Sequence, residues 1–287
     1  MNNRGFLLFF LVLLSGAVCA QRSILWKVSK AGTAHVSYLL GTFHTLGESF
    51  IDSVPVIKER LFAADLLVSE AVVDRKRVVD RYAARVATDS LSTAVSAEDL
   101  VLIKQLFAKS RFDVFKFSPA ELLMNLGIYY YQWGCSPRSL ADSFTCDEYL
   151  QRLARGRGMP AFYFEADSMQ EELVRQQGSF ITWKYFKKTA PVVLKLYRRS
   201  SAPAGYCKPV WDYLAFKIDY DFNGKCVNAA LVEDRNRRWM GELPGLLDAH
   251  NCFVDVGMQH LCNRCGLIVL LRAAGYSVEA VELAQPK

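Results

Sequence analysis

The chain has 287 residues, of which 52% are hydrophobic and 22% are charged. This composition excludes a disordered protein, which would combine low hydrophobicity with high charge, and a mini-protein held together only by disulfides. The net charge of +6 is spread along the chain, so it does not indicate a nucleic-acid-binding protein.

The first twenty residues have the pattern of a secretory signal peptide. Arg4 supplies a positive charge, residues 6–14 form an apolar stretch, and slender residues precede a cleavage site after Ala20. The uncharged run over residues 5–21 is shorter than a spanning helix, which needs about 20 predominantly apolar residues. We therefore expect residues 1–20 to be removed and residues 21–287 to form one exported domain, although retention as a membrane anchor stays open.

Strands and helices alternate in the first part of the chain. Residues 24–29 and 36–40 are apolar, β-favouring runs that predict a hairpin. A helix over residues 55–64 and a buried strand over residues 66–68 follow. Ser96 and Ser118 begin capping patterns of two further helices, and Pro119 occupies the first helical position of the second one.

In the second part of the chain, strands and helices alternate again only near the end. A helix over 147–155 and a strand over 160–164 precede a long helical region, which Asp167 caps with Gln170 in the reciprocal position. A strand over 253–256, a helix over 267–274 and a strand over 276–281 close the chain. This order predicts an α/β fold with a mostly parallel central sheet flanked by helices, and helical insertions at about 75–145 and 168–245.

Seven cysteines remain after removal of the signal peptide, and export favours disulfides. Sequence proximity favours the pairs Cys135–Cys146 and Cys207–Cys226. The Cys262-x-x-Cys265 pair lacks the second such pair of a four-thiolate zinc site, so a disulfide between this pair and Cys252 is favoured. Because seven is odd, we expect one accessible thiol per monomer under non-reducing denaturation, from residue 252, 262 or 265.

A basic segment over residues 184–199 contains six lysines and arginines and no acidic residue, interleaved with aromatic residues. It predicts either an amphipathic helix with a solvated basic face, which is the favoured interpretation, or peripheral contact with anionic lipid headgroups.

Four polar residues follow four apolar runs. His44 and His260 each end a Gly-x-x-His pattern directly after a predicted strand, and Glu70 and Glu165 follow two other strands. Ligands bind at the carboxyl ends of the strands in open α/β sheets, so parallel strands would gather these side chains at one edge. Imidazoles with carboxylates suit a divalent Zn²⁺, Mn²⁺ or Co²⁺ ion. Structural hydrogen bonding is the alternative for each residue alone.

Several segments together resemble the TraB/GumN family, which is related to the Tiki proteases. Residues 25–28 (LWKV) and 37–44 (SYLLGTFH) resemble its opening, and residues 254–261 (VDVGMQHL) and 266–278 its closing motif. Three further segments between them match the family pattern in the same order. They are residues 65–70 (DLLVSE), residues 147–150 (DEYL) with 164–165 and Gln170, and residues 235–239 (RNRRW). The matches span nearly the whole chain after the signal peptide.

The resemblance implies an α/β core of two related halves, each with a Gly-x-x-His motif, and a metal-dependent hydrolase activity that is proteolytic in the Tiki branch. More distant ChaN-like relatives bind haem. Cys262 is a departure from the family pattern near the predicted site.

We therefore expect an exported metal-dependent hydrolase that acts on a peptide or protein. His44 and His260 would be ligands, and Glu70 would be a third ligand or the base that activates water. Glu165 would be a ligand or would support one, Arg235 would stabilise an oxyanion, and Asn236 would orient the substrate. The alternative is a periplasmic protein that binds haem or another small ligand through the same histidines. The oligomeric state stays open.

Overall fold

The structure is a computed structural model that describes residues 23–110, 112–166, 172, 176 and 178–284. The predicted signal peptide and the predicted helix start at Asp167 and Gln170 lie outside these residues. Among the described residues, no helix is both long and apolar enough to cross a lipid bilayer.

Six strands form one mixed sheet in the order β4-β3-β5-β2-β1-β6. The four strands β4, β3, β5 and β2 are parallel neighbours, whereas β1 is antiparallel to both β2 and β6. The predicted α/β fold with a mostly parallel sheet is therefore confirmed. The strands are β1 (Leu25–Ser29), β2 (Val36–Thr42), β3 (Leu66–Ala71), β4 (Ala161–Glu165), β5 (Cys252–Gly257) and β6 (Ser277–Ala280).

The first two strands form the predicted hairpin, in which Leu25 is paired with Leu40 and Ser29 with Val36. Gly32 has a φ of +86° in the connecting turn, a conformation that a side chain would strain. The central strand β5 is buried at every position, because it lies between β3 and β2 with both faces of the sheet covered.

Twelve α-helices lie in the part of the chain that the structure describes, and two of them begin as their capping patterns predict. The Ser96 hydroxyl accepts a hydrogen bond from the Asp99 amide, and Ser118 and Glu121 form a complete capping box. The helices are α1 (Glu48–Ser53), α2 (Pro55–Ala63), α3 (Arg75–Ala83), α4 (Ser90–Ala94), α5 (Ala97–Leu106), α6 (Pro119–Tyr130), α7 (Cys146–Gly156), α8 (Trp183–Tyr197), α9 (Ala204–Leu214), α10 (Asp234–Trp239), α11 (Leu243–Ala249) and α12 (Leu267–Ala273).

Buried side chains form two clusters. The larger one surrounds the sheet, and the smaller one lies among α4, α5, α6 and α8, away from the strands. Leu91, Ile103, Leu126 and Phe186 are fully buried in the smaller cluster. Helices α3–α7 lie between β3 and β4 in the chain, and α8–α11 lie between β4 and β5. Helices from both stretches meet in the smaller cluster, where α6 packs against α8.

Two disulfides are present, and neither joins the cysteines that sequence proximity favours. Cys135 is bonded to Cys207 and Cys226 to Cys265, with Cα atoms 5.2 and 5.9 Å apart. The predicted pairs were wrong because the fold separates cysteines that are close in sequence. Cys146 lies at the start of α7, where its thiol faces the Gly47 carbonyl.

Three of the cysteines that the structure describes are free and buried, namely Cys146, Cys252 and Cys262. The predicted disulfide between Cys252 and the 262–265 pair was therefore wrong, and so was the expectation of one accessible thiol on denaturation, since three cysteines are unpaired. Burial raises the pKa of Cys252 to about 12 and that of Cys262 to about 11. Both thiols are therefore protonated near neutral pH, and a protonated thiol is a poor nucleophile.

Candidate functional site

The carboxyl ends of β4, β3, β5 and β2 lie side by side at one edge of the sheet, because these strands are parallel. The two Gly-x-x-His motifs begin in the last residues of β2 and β5, which are neighbours in the sheet, and Thr42 is paired with Gly257. Two histidines 216 positions apart in sequence therefore emerge from adjacent strands.

A cavity of about 890 Å³ opens at this edge. Four of the predicted site residues line it, namely His44, Glu70, Arg235 and His260. Part of the cavity lining, here called the apolar wall, consists of apolar side chains from five stretches of the chain: Phe43, Val72, Val73, Ile128, Tyr131, Val227, Leu231, Val232 and Met258. The volume is within the range of pockets that bind small molecules or short peptide segments.

His44 is held by an aspartate at the start of α7. Its Nδ1 atom lies 2.9 Å from Asp147 Oδ2, and the Thr42 hydroxyl donates to the other carboxylate oxygen at 2.7 Å. Asp147 raises the pKa of His44 to about 9, so the imidazole is protonated near neutral pH. The ring is exposed to the cleft, and its Nε2 atom is directed towards Gly257.

His260 has the opposite environment, because it is buried. Burial lowers its pKa to about 4, so the ring is neutral. His260 Nδ1 lies 2.6 Å from Asn236 Oδ1, and its Nε2 atom lies 3.0 Å from Arg235 Nη1. A neutral ring satisfies both contacts when Nδ1 carries the proton and Nε2 accepts from the guanidinium.

Glu70 lies between the two histidines. Its Oε1 atom accepts from the Gly257 amide and lies 3.7 Å from His260 Nε2, and its Oε2 atom accepts from Arg235 Nη2 at 2.7 Å. Burial alone would raise the pKa of Glu70, but His260, His44 and Arg235 together lower it below its usual value. The carboxylate is therefore ionised at neutral pH.

Arg235 is the cation at the centre of this cluster. Its Nε atom donates to both oxygens of Glu165, at 2.9 and 3.1 Å, in addition to its contacts with Glu70 and His260. Trp239 and Arg238 also contact Glu165 Oε1, which is buried behind the cavity wall. Burial would lower the pKa of Arg235, but the two glutamates raise it above its usual value.

Gly257 has no side chain, and the His44 and Glu70 side chains occupy the space that one would fill. A Cβ atom at this position would lie 2.9 Å from His44 Nε2 and 3.2 Å from Glu70 Oε1. The first distance is shorter than a normal van der Waals contact. A side chain here would therefore displace the functional atoms.

Asp255, on β5, is a cavity residue that sequence reasoning missed. It is 1% exposed, accepts a hydrogen bond from the Ser69 hydroxyl through Oδ1, and its Oδ2 atom has no hydrogen-bond partner among the described residues. Burial raises the pKa of Asp255 well above its usual value, and the nearby Asp147 and Glu70 charges add to this effect. An aspartate inside the apolar run of residues 253–256 was the signal that could have revealed it.

Some predicted residues line the cavity, and the others lie behind them in an inner layer. Glu165 and Asn236 do not line the cavity, and they hold Arg235 and His260 instead. Asn236 is fully buried and also donates to the backbone carbonyls of His260 and Cys265. Asp147 was not predicted as a site residue, since an acidic residue at a helix start is common for the helix dipole alone.

One group of potential metal ligands in the described residues has all its donor atoms within 4.8 Å of one another, and it lies outside the cleft. It consists of Cys226, Glu233 and Cys265, whose two sulfur atoms are joined in a disulfide. The cleft donors His44, Glu70 and His260 do not reach this mutual spacing. A shared ion in the cleft would require side chains to move closer.

Neither a search of curated proteins nor a search of solved structures finds a protein similar to this chain. A comparison with protein families does find a match: the profile of the TraB/PrgY/gumN family aligns with residues 24–280. The aligned region includes all six strands and both Gly-x-x-His motifs. The chain therefore belongs to the TraB/PrgY/gumN family.

Proposed function

We propose that the protein is a metal-dependent hydrolase that acts on a peptide or protein in the cleft at the carboxyl ends of β2, β3 and β5. The observation that carries this proposal is the arrangement of the two histidines. Asp147 and Asn236 bind the Nδ1 atoms of His44 and His260, so both Nε2 atoms face the cavity with Glu70 Oε1 between them. Metal-ligating histidines are oriented by an acceptor behind the ring in the same way.

The donor set fits a divalent ion under two conditions. Arg235 Nη1 has to move away from His260 Nε2, to which it donates a hydrogen bond in this structure. His44 has to lose its proton, because only a neutral imidazole coordinates a metal. When bound, such an ion would lower the pKa of a water molecule and polarise a substrate carbonyl. Two nitrogens and a carboxylate oxygen suit Mn²⁺, Co²⁺ or Zn²⁺.

The residues of the chain would then take separate roles in proton transfer, charge stabilisation and substrate binding. Glu70, which is ionised, would hold the ion as the third ligand through Oε1, or, if the two histidines held the ion alone, would instead accept the proton of the attacking water. Arg235, once released from His260, would direct Nη1 towards the negative charge that develops on the carbonyl oxygen. Glu165 would keep the guanidinium in place through its two hydrogen bonds to Nε. The apolar wall would bind an uncharged side chain of the substrate.

The test combines elemental analysis of the purified protein with peptide hydrolysis before and after chelation. We expect chelation to abolish turnover and one of the three ions to restore it. His44→Ala, Glu70→Gln and His260→Ala should each lose both metal and activity. His250→Ala is the matched control, because His250 lies outside the cleft and pairs with Asp65 at 3.3 Å. Full activity without metal, or no turnover of a peptide library with any ion, would contradict the proposal.

The pH dependence of metal binding provides a further check. Because the pKa of His44 is about 9, binding near pH 7 has to displace a proton from this ring. Affinity should therefore rise with pH up to about 9 and then level off, as measured by calorimetry in buffers of different ionisation enthalpy. An affinity that does not change between pH 7 and 9 would exclude His44 as a ligand.

The apolar wall of the cavity favours a second candidate, binding of haem or another largely apolar ligand. Neutral imidazole is a normal axial haem ligand, and His260 is neutral. Titration with haem should then produce a Soret band that His44→Ala or His260→Ala abolishes. Absence of any spectral change would remove this candidate.

We also propose that the protein acts in the periplasm or outside the cell. The two disulfides support an oxidising compartment. Edman sequencing of the exported protein should begin at Gln21, whereas retention of residues 1–20 would indicate an anchored form.

A further inference from the structure

The Cys226–Cys265 disulfide borders a second, surface-opening cavity of about 450 Å³. Cys226 is half-buried, whereas both cysteines of the other disulfide are buried, Cys135 at 5% and Cys207 at 0% exposure. The cavity is lined by Cys226, Glu233, Arg237, Met240, Arg264, Cys265 and Leu270. A small thiol can therefore approach one disulfide of the molecule through this cavity, while the other is enclosed by the protein.

A short chain of hydrogen bonds connects this disulfide with the cleft. The backbone carbonyl of Cys265 accepts from Asn236 Nδ2 at 2.8 Å, and Asn236 Oδ1 binds His260 Nδ1 at 2.6 Å. Asn236 also donates to the backbone carbonyl of His260 at 3.0 Å. The Asn236 side chain, which orients His260, is thus hydrogen-bonded to the loop that contains Cys265.

The other sulfur is attached to a segment that borders the cleft. Val227 and Asn228 directly follow Cys226 and line the main cavity. Two backbone hydrogen bonds join the preceding residues to the same loop, from the Asn263 amide to Tyr220 and from the Arg264 amide to Gly224. The disulfide is the covalent part of this connection.

We propose that the Cys226–Cys265 disulfide is a thiol-exchange site that positions His260, and that its reduction by a dithiol releases this histidine from its fixed orientation. One thiolate of the dithiol attacks Cys226 Sγ, the S–S bond breaks, and Cys265 leaves as a thiolate that takes up a proton. The second thiol of the reagent then displaces Cys226, which also takes up a proton. The dithiol is oxidised to a disulfide, and the protein gains two electrons and two protons.

The first experiment measures which disulfide reacts. The folded protein is treated with dithiothreitol, free thiols are alkylated at intervals, and mass spectrometry locates the labels. We expect labels on Cys226 and Cys265 at a rate on the order of tenfold or more above that of Cys135 and Cys207, because access controls exchange. Equal rates, or faster reduction of the buried pair, would overturn the proposal.

The second experiment measures the effect on His260. The chain has four histidines, so nitrogen NMR of the imidazoles can resolve each ring. In the oxidised protein, His260 should be a neutral ring with its proton on Nδ1. The selectively reduced protein is kept with a chelator, so that the new thiols do not capture a metal. In this sample the His260 signals should shift and broaden, and the Nδ1-protonated tautomer should no longer dominate.

The double variant Cys226→Ser/Cys265→Ser should reproduce the spectrum of the reduced protein without any reductant. Cys262→Ser is the matched control, because Cys262 lies on the same loop and is not in the disulfide. This control should leave the His260 signals unchanged. Unchanged signals after reduction would overturn the proposal, and the reduced wild-type protein gives this answer even if the double variant does not fold. Neither experiment uses turnover, so the result stands apart from the proposed hydrolase activity.

Discussion

At the scale of single residues, the cleft contains two histidines with opposite protonation. His44 is paired with Asp147 and has a pKa of about 9, whereas His260 is buried beside Arg235 and has a pKa of about 4. Each carboxylate of the cleft that is ionised has a cation beside it, since Asp147 contacts His44 and Glu70 contacts Arg235. Asp255 has no such partner among the described residues, and burial raises its pKa well above the usual value.

Removal of the Asp147 charge should lower the pKa of His44. In Asp147→Asn, we expect this pKa to fall from about 9 towards the ordinary value of 6.5, as measured by NMR titration. The raised pKa stabilises the folded state fully below pH 6.5, and this contribution is lost as the pH rises to about 9. Since His44 is exposed, solvent screens the pair and the effect on unfolding should be below about 1 kcal/mol. A pKa of His44 that stays near 9 in the variant would show that Asp147 is not its cause.

Replacement of Asp255 should stabilise the protein at neutral pH. The pKa of Asp255 in the folded state is above its unfolded value, so folding becomes less favourable as the pH rises above about 4. Asp255→Asn removes this penalty and keeps an oxygen that can accept from Ser69. We expect the free energy of unfolding to increase by about 2 kcal/mol at pH 7.5 and by less at pH 4.5.

Urea unfolding at the two pH values measures this difference. Asp89→Asn is the matched control, because Asp89 is exposed and makes no capping hydrogen bond, and it should change stability equally little at both pH values. A loss of stability in Asp255→Asn at pH 7.5 would mean that Asp255 is ionised in the folded protein.

At the scale of elements, the six-residue helix α10 builds most of the cleft's inner layer. Its buried residues are Arg235, Asn236 and Trp239, which lie on one face because positions i and i+4 are neighbours on a helix. Trp239 packs on His260 with ring centroids 4.4 Å apart and stacks on Phe164 at 4.9 Å. Arg237 is exposed and pairs with Glu233, whereas the partly exposed Arg238 reaches inwards to Glu165, so this arginine-rich helix presents a buried face to the site.

Helix α8 presents the basic face that the sequence predicts. Phe186, Ala190 and Leu194 are buried on one side, and Tyr185 and Val192 are exposed among the lysines of the other. A solvated basic face is the favoured interpretation, and contact with anionic membranes is the alternative that vesicle binding tests. Replacement of Lys184, Lys187 and Lys188 by glutamine should weaken partitioning onto phosphatidylserine vesicles by about a hundredfold, since each basic residue contributes about 1 kcal/mol.

Sedimentation with vesicles at low ionic strength measures this effect, and vesicles of neutral lipid should bind neither protein. The matched control replaces three other exposed lysines, Lys104, Lys109 and Lys217, by glutamine, which changes the net charge equally. Equal weakening by both triple variants would attribute binding to net charge, and no binding of the wild-type protein would leave α8 as a solvated helix.

At the scale of the whole molecule, the parallel sheet and the disulfides connect segments that are distant in sequence. Strand β5 lies between β3 and β2 although more than 170 residues separate it from either, which explains how the site forms only in the folded state. The Cys135–Cys207 disulfide joins the π-helical turn that follows α6, Tyr131–Cys135, to α9 across 72 positions. Long closed loops make a disulfide effective, because the unfolded chain loses more conformational freedom.

Removal of this disulfide should therefore destabilise the protein strongly. In Cys135→Ser/Cys207→Ser, we expect the free energy of unfolding to fall by about 2 to 5 kcal/mol in guanidinium titrations without reductant. Cys252→Ser is the control, because Cys252 is free and its thiol only contacts backbone carbonyls. A loss below about 1 kcal/mol would mean that the enclosed disulfide adds little to the fold.

The sequence by itself determined the local features of this protein. The hairpin, the helix starts at Ser96 and Ser118, the parallel α/β architecture and the strand-end positions of the two motifs all follow from periodicity and capping within short segments. Only the tertiary structure decided the disulfide pairing, the placement of Asp147 behind His44, and the central position of Arg235 between Glu70 and Glu165. These contacts join residues 39 to 165 positions apart, so no local pattern encodes them, and packing of the helices against the sheet brings the side chains together.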